Sequence, residues 1–366
     1  MDVPFVNLGL QYIFLRNQIL EKFDEISKKG EYILGSELAK FEHEFANYCG
    51  TKFAIGVGNG SDALSLSMIA LGIKKDDEVI IPGNSFIATA CTVVNVGATP
   101  VFVDVLDDYN IDPQMIQKAI TKKTKAIIPV HLTGRMADMG QIMQIANENN
   151  IYVIEDAAQA VGASINNKKS GSFGIIGCFS LHPLKNLHVQ GDGGIITTND
   201  EKIYNFIKKM RNHGLQNRNE SEFWGYNSRL DNIQAAIGSI KLPYIDKWNK
   251  RFIEIANIYS KELSQFAIVP KEDSNKISIY HRYIIQHSSR DRLKDYLNKN
   301  SIETKINYPV PLHLQPAAKE LGYKKGDLPK VETQSKLILS LPIYAEITDQ
   351  QIDHVIYTIK SFKQNS

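Results

Sequence analysis

Short apolar runs of strand length alternate with helical stretches through the first half of the chain. Residues 53–57, 78–82, 99–104, 125–130 and 151–155 form such runs, each followed by polar or glycine-containing punctuation. Between them, residues 61–71, 85–96, 113–119 and 136–148 carry helical periodicity with Ser, Asp or Pro start signals. This alternation predicts an α/β fold with a mainly parallel, doubly wound sheet buried under helices. Two later runs, 178–181 and 194–198, are joined by too few residues for a crossover helix, so one of the pair is expected to run antiparallel to the rest. The rhythm changes at about Leu242. A long helix over 247–266 leads to Ser278-Ile279-Tyr280-His281-Arg282-Tyr283-Ile284-Ile285 and then to helices without alternation. That pattern predicts a large α/β domain over 1–245 and a small C-terminal α+β domain over 246–366.

At 366 residues, 43% hydrophobic and 22% charged, the chain is long enough for both units. Its 42 basic and 40 acidic residues leave a net charge of +2, and no long basic tract occurs. The electrostatic footprint of a nucleic-acid partner is therefore missing. The start, Met1-Asp2-Val3-Pro4-Phe5-Val6, lacks the segments of a signal peptide, and no apolar run is long enough to span a bilayer. A cytoplasmic protein without a membrane partner is expected. Cys49, Cys91 and Cys178 lie far apart without metal-ligand spacing, so buried free thiols are expected, with no disulfide framework and no metal.

Lys185 is the most informative residue. It stands in Gly177-Cys178-Phe179-Ser180-Leu181-His182-Pro183-Leu184-Lys185-Asn186-Leu187, ahead of Gly191-Asp192-Gly193-Gly194 and well after Val153-Ile154-Glu155-Asp156-Ala157-Ala158-Gln159. A lysine between a β-type run and a glycine-rich turn, with a carboxylate closing an earlier apolar strand, is the pair that pyridoxal phosphate requires. That cofactor needs an amine for its aldehyde, an anion for its ring nitrogen, donors for its phosphate and a surface for its ring. Lys185 offers the amine and, once displaced by an amino-acid substrate, a general base for the α-proton. A solvated surface lysine is the competing reading. Asp156 is expected at the carboxyl edge of the sheet, where open α/β sheets bind ligands, to keep the ring nitrogen protonated. A helix N-cap is its alternative.

Gly58-Asn59-Gly60-Ser61-Asp62 opens a helix and so presents free amides and a positive dipole end to a phosphate. The stretch approaches a dinucleotide fingerprint, with Gly56-Val57-Gly58 and Asp77 about twenty residues on. Ser61, however, stands where the third glycine belongs, and a dehydrogenase leaves Lys185 without a task. Phe86, at a helix start, is a candidate to stack on the ring or to fill the core. Ser180 is a candidate phosphate donor.

These motifs, followed by Gly225-Tyr226-Asn227-Ser228-Arg229-Leu230-Asp231 and Tyr308-Pro309-Val310-Pro311-Leu312-His313-Leu314-Gln315, resemble the sugar aminotransferases of the DegT/DnrJ/EryC1/StrS family. The likeness runs from Val3-Pro4-Phe5-Val6-Asn7-Leu8 to Leu339-Ser340-Leu341-Pro342-Ile343. It implies a fold-type I, aspartate aminotransferase-like architecture and a homodimer with shared active sites. By match of motif it implies Gly60, Ser61, Asp62 and Ser180 at the phosphate and Phe86 on the ring. Asp156 is implied at the ring nitrogen, Gln159 near the ring 3-hydroxyl, and Lys185 as the covalent and catalytic residue. Asn227 would reach the phosphate from the other subunit, so a monomer is expected to be inactive. The implied reaction takes nitrogen from L-glutamate, passes through pyridoxamine phosphate and aminates a keto-sugar. Cell-surface glycan assembly, such as lipopolysaccharide O-antigen, or secondary metabolism is the expected setting.

Relatives that dehydrate sugars carry histidine in place of the lysine, whereas here Lys185 is present with His182 and His188 three residues to either side. Transamination is the expectation. The Tyr308 stretch and the Gly-Asp-Gly-Gly turn look more like members that aminate 3-keto sugars, so a nucleotide-linked 3-keto-6-deoxy sugar leads. A 4-keto nucleotide sugar and a keto-sugar acid such as 8-keto deoxyoctulosonate are the alternatives. A diphosphate calls for cations, for which Arg211, His213, Arg218, Arg229 and His313 are candidates. Each has a surface charge or a structural ion pair as its competing reading. Tyr308 and His313 are candidates to contact the sugar, or they shape a loop held by Pro309 and Pro311. Glu31-Tyr32-Ile33-Leu34-Gly35-Ser36-Glu37 is expected near the site. A non-catalytic sensor or regulator is the competing class, and no basic extension or helix-turn-helix segment supports it.

Overall fold

The apolar runs become strands of one seven-stranded sheet in the computed structural model, which describes residues 1–363. The last three residues of the expected second domain, 364–366, lie outside the described residues. Helices α1 (Leu8–Lys29) and α2 (Ser36–Cys49) precede β1 (Phe53–Val57), α3 (Gly60–Ala70), β2 (Glu78–Pro82), α4 (Ile87–Asn95) and β3 (Thr99–Val103). Then come α5 (Pro113–Ala119), β4 (Thr124–Ile127), α6 (Met139–Asn149), β5 (Tyr152–Asp156), β6 (Ser164–Ile165) and β7 (Lys168–Lys169). β8 (Ile176–Ser180), β9 (Gly194–Thr198), α7 (Glu201–Met210) and α8 (Asn232–Lys241) follow. The C-terminal part holds α9 (Ile245–Leu263), β10 (Lys276–Ile277), β11 (Tyr283–Gln286), α10 (Arg290–Lys299), α11 (Pro329–Leu337), β12 (Ile338–Leu341) and α12 (Asp349–Ser361).

The main sheet runs β1-β9-β8-β5-β4-β2-β3. Every pairing from β8 to β3 is parallel, and β9 is antiparallel to both β8 and β1. The short β8–β9 connection therefore signals the odd strand correctly. Side chains alternate between the two faces, as a period of two requires. Val79, Ile81, Ala126 and Ile154 pack in the apolar cluster beside α3 and α4, while Ile80, Ile127 and Val153 pack in the cluster beside α5 and α6. Helices on both faces explain why these strands read as continuous apolar runs.

Some elements fall outside the predicted pattern. α1 buries only Leu15, Ile19 and Ile26 while Ile13, Phe14 and Phe23 are exposed, so its apolar residues do not mark a single face. α6 starts at Met139 rather than 136, because the Asp138 side chain accepts from the Gln141 amide and caps the helix there. The helix expected over 247–266 occupies Ile245–Leu263. The antiparallel pair β11–β12 lies with α9, α10 and α12 in the C-terminal part. The N-terminus joins that part: Val3 bridges to Ile302, and the Phe5 amide donates to Glu303 at 3.0 Å. A single apolar cluster, including Phe41 of α2, Phe179 of β8, Phe252 of α9 and Tyr283 of β11, runs through both ends of the molecule. Cys49 and Cys178 are buried, but Cys91, expected with them, is exposed on α4. Among the described residues, no helix is long and apolar enough to cross a membrane.

Adjacent carboxylates at the end of β5 face opposite sides of the sheet. Glu155 is fully buried and receives His131 Nε2 at 2.9 Å and the amides of Gly171, Phe173 and Gly174 at 2.9, 2.6 and 2.8 Å. It is the anchor of the turn ahead of β8. Replacing Glu155 with Ala leaves the buried Gly171 amide, the half-buried Phe173 and Gly174 amides and the buried His131 ring without this partner, and each loss at a buried group costs about 1–3 kcal/mol. Urea denaturation is expected to show a loss of about 3 kcal/mol or more.

Candidate active site

β5 and β8 are parallel neighbours, so Asp156 and Ser180, their last residues, reach the same edge of the sheet. The β8–β9 connection then turns back on itself. Leu181 donates its amide to Gly193 O at 2.7 Å, Val189 donates to Leu181 O at 3.1 Å, and Lys185 donates to His182 O at 2.8 Å. That closed loop places Lys185 over the edge where Asp156 ends. Both line one cleft of about 620 Å³ together with the amino end of α3.

The α3 terminus is pressed against β8 and β9. A Cβ on Gly60 would lie 2.8 Å from Ser180 Cβ, and one on Gly194 would lie 2.3 Å from the Asn59 carbonyl oxygen. Only glycine fits these contacts, and the fit brings the Ser180 hydroxyl beside the helix amides. Asn59 caps the helix by accepting the Asp62 amide at 2.8 Å. The Asp62 carboxylate accepts from Ser228 Oγ at 2.6 Å, and that oxygen accepts from the Gly58 amide at 3.0 Å. Asp62 thus lines the cleft as a brace of the cradle, while Gly60, Ser61 and Ser180 offer donors to an anion.

Asp156 is 5% exposed. Its Oδ2 accepts from Thr89 Oγ1 at 2.8 Å and its Oδ1 from the Ala158 amide at 3.2 Å. Ser85 Oγ lies 2.8 Å from the same Thr89 hydroxyl. Burial pushes the Asp156 carboxyl upward, opposed by these two hydrogen bonds and by the positive charge of Lys185. Burial likewise lowers Lys185 to about 8, with Asp156 raising it and Arg282 lowering it further. Gln159 accepts the Thr133 amide at 2.8 Å and points its Nε2 toward the Tyr308 hydroxyl at 3.5 Å. The Phe86 and Tyr308 rings lie with centroids 6.0 Å apart, and Phe86 is 54% exposed to the cleft side. Burial pushes the Tyr308 phenol up to about 12.

The structure thus brings Gly60, Ser61, Asp62, Phe86, Asp156, Gln159, Ser180, Lys185 and Tyr308 to one cavity. It places the remaining candidates elsewhere. Arg211 is 3% exposed, paired with Glu42 and bonded to Gly56 O at 2.6 Å, which corrects its reading as a diphosphate contact: it is a buried ion pair under β1. His313 is 2% exposed, with Nε2 3.1 Å from Glu332 and its ring edge-on to Tyr323, so it is also a structural residue. Arg229 donates to Asn212 Oδ1 at 2.8 Å outside the cleft. His213, Arg218 and Asn227 are exposed on the connection from α7 to α8. The stretch from Glu31 to Glu37 lies apart from this cleft and is tied to α8, where Asn232 donates to Tyr32 O at 2.8 Å and Glu31 O at 2.7 Å.

Sequence reading missed Thr89, Arg282 and Thr133. Thr89 had a local signal, since it follows Phe86 by three residues on the same helical face. Arg282 and Thr133 had none, because their meeting depends on the Arg282 amide donating to Thr133 O at 3.3 Å across a long sequence separation. The assembled set fits pyridoxal phosphate: an amine, a buried carboxylate for a ring cation, a glycine-lined helix terminus for a phosphate and aromatic surface beside it.

Comparison with known proteins agrees. The model of the DegT/DnrJ/EryC1/StrS aminotransferase family matches residues 14–360. A "Pleiotropic regulatory protein" of Geobacillus stearothermophilus is 42% identical over 99% of both chains. A dTDP-3-amino-3,6-dideoxy-alpha-D-galactopyranose transaminase of Aneurinibacillus thermoaerophilus is 40% identical, over 98% of this chain and 99% of its own. The crystal structure of S. venezuelae DesV superposes with a TM-score of 0.96 at 37% identity, covering 98% of each chain.

The lowered Lys185 gives a pH signature. A neutral amine is needed to condense with an aldehyde, so the rate at which cofactor-free protein takes up added pyridoxal phosphate should rise with pH and reach half its plateau near pH 8. An ordinary lysine would still be rising at pH 10. Stopped-flow absorbance across that range checks it. Lys185→Ala should bind the cofactor weakly and lose turnover by about 10²-fold or more.

Proposed function

The chain belongs to the DegT/DnrJ/EryC1/StrS aminotransferase family and is a pyridoxal phosphate-dependent sugar aminotransferase, and from that premise we propose that it moves the amino group of L-glutamate onto a nucleotide-linked 3-keto-6-deoxy sugar. The observation that carries this reading is the convergence of Lys185 and Asp156 on one cleft, large enough for a substrate well beyond an amino acid. The name of the Aneurinibacillus relative sets its amine at carbon 3 of a 6-deoxy sugar, which favours the 3-keto acceptor over the 4-keto one. The regulatory name of the Geobacillus relative is weighed against the same pair: a lysine and a buried carboxylate that line one cleft, both with shifted proton affinities, favour a catalytic site.

Bound pyridoxal phosphate supplies an electron sink for the substrate carbon that loses its proton. Lys185 would take that proton from the donor's α-carbon as a base and give it back as an acid, and would run the same transfer in reverse for the sugar. Asp156, oriented by Thr89, would keep the ring nitrogen cationic. Gly60, Ser61 and Ser180 would hold the phosphate. Gln159, fixed by Thr133, would serve the ring hydroxyl, and Phe86 would cover the ring.

A homodimer completes the site in this reading. Trp224 is 97% exposed and Tyr226 52%, and Ile13, Phe14 and Phe23 of α1 are exposed too, which supports a second copy covering these faces. Asn227, with His213 and Arg229 near it, would then serve the other subunit's site. The boundary at 245/246, a cytoplasmic location and a role in glycan or secondary-metabolite assembly belong to the same proposal.

Spectroscopy tests the reaction. Purified protein loaded with pyridoxal phosphate should show a visible band that L-glutamate bleaches, and a nucleotide-linked 3-keto-6-deoxy sugar should restore it. A band indifferent to every amino acid would sink the transaminase reading. Restoration by 4-keto sugars or keto-sugar acids alone would replace the acceptor.

A further inference from the structure

Arg282 lines the same cavity as Lys185, Asp156 and Tyr308, yet the reaction as described gives it nothing to do. It is half-buried, and among the described residues no carboxylate pairs with it. Its one side-chain hydrogen bond is a long one, Nη1 to the carbonyl of its own neighbour His281 at 3.4 Å. A desolvated guanidinium in that state costs stability unless an anion arrives.

The position is nevertheless built. The guanidinium rests over the Phe5 ring, 4.9 Å from its centroid, and the Phe5 amide is tied to Glu303 at 3.0 Å. The Arg282 amide donates to Thr133 O at 3.3 Å, and Thr133 in turn fixes Gln159. The N-terminal segment and the cleft floor thus aim this side chain together. Its charge is felt by its neighbours: Arg282 lowers Lys185, and burial lowers Arg282 itself to about 10.

We propose that Arg282 binds the α-carboxylate of the amino donor, and of the 2-oxo acid that the donor becomes. The proposal rests on the aminotransferase reading and adds a residue to it. Lys185 must reach the donor's α-carbon, and the carboxylate is bonded directly to that carbon. A cation that shares the cavity with the Lys185 amine and acts on its charge is therefore placed for a carboxylate one bond from the reacting atom. A diphosphate on the acceptor is separated from the reacting carbonyl by the sugar ring, so its contacts lie farther out. The planar fork of a guanidinium takes a carboxylate through two parallel hydrogen bonds. Pairing also removes the positive charge facing Lys185, which makes its amine a stronger base when the donor is seated.

The test compares the two half-reactions of the holoenzyme in Arg282→Met, Arg282→Lys and Phe5→Leu. Bleaching of the visible band is followed against L-glutamate concentration, and restoration of the band from the pyridoxamine form against the keto-sugar. Arg282→Met should raise the half-saturating L-glutamate concentration by about 10- to 100-fold and leave the half-saturating keto-sugar concentration within about twofold of wild type, while its effect on Lys185 alters the limiting rates of both halves. Arg282→Lys should fall between, and Phe5→Leu should shift in the same direction by less. A half-saturating L-glutamate concentration indistinguishable from wild type, or an equal rise in the half-saturating concentrations of both substrates, overturns the proposal while leaving the aminotransferase reading intact. A wild-type band that no amino acid bleaches removes that reading and the proposal with it. If Arg282→Met does not retain the band, Arg282→Lys decides by the same comparison.

Discussion

A carboxylate held out of water with too few partners governs this molecule. Asp156 ends a central strand, almost wholly buried, with one hydroxyl and one amide in place of its hydration shell. Its neighbour Glu155 is buried as deeply but takes three amides and an imidazole, which leaves it fully occupied. The alternation of a β-strand sends these two acids to opposite faces, so one residue step separates a structural anchor from a charge with only one hydrogen bond to each oxygen. Burial raises the proton affinity of Asp156, and a ring cation beside it would relieve that cost. A cofactor bound there would be part of the electrostatics of the fold as well as of its chemistry.

The surrounding architecture serves that charge. Parallel β5 and β8 bring Asp156 and Ser180 to one edge, and the antiparallel return through β9 folds the Lys185 loop over it. α3 meets the same edge so closely that Gly60 and Gly194 have no room for a side chain. Its dipole and free amides then face the cavity. Three features that read as separate motifs in the sequence are one packing solution.

That solution was legible where its causes are local. The apolar runs marked the strands because helices cover both faces, and the brief β8–β9 connection betrayed the antiparallel strand. Lys185, Asp156 and the glycine turn stood out by chemistry and spacing. Isolated cations were not legible, because a guanidinium or imidazole carries no local record of its partner. Arg211 finds Glu42 and His313 finds Glu332, and both become internal ties. Arg282 sat unmarked in a segment noted only for its change of rhythm. Phe5 and Thr133, which position it, lie far away in the chain. Thr89 is the intermediate case, recoverable from the helical spacing that made Phe86 a candidate.

Lys185 shows how these charges combine. Burial strips water from its ammonium and favours the neutral amine, Asp156 favours the cation, and Arg282 opposes it again. Burial does most of the lowering, and the two neighbours of opposite sign adjust it, leaving the amine near 8, where taking and releasing a proton are both within reach at neutral pH. The proposed reaction of two mirror-image halves would use that balance, since the same nitrogen would act as base in one step and as acid in the next. In the proposed reaction an anion seated on Arg282 would offset its charge and strengthen the base when the donor's α-proton is removed.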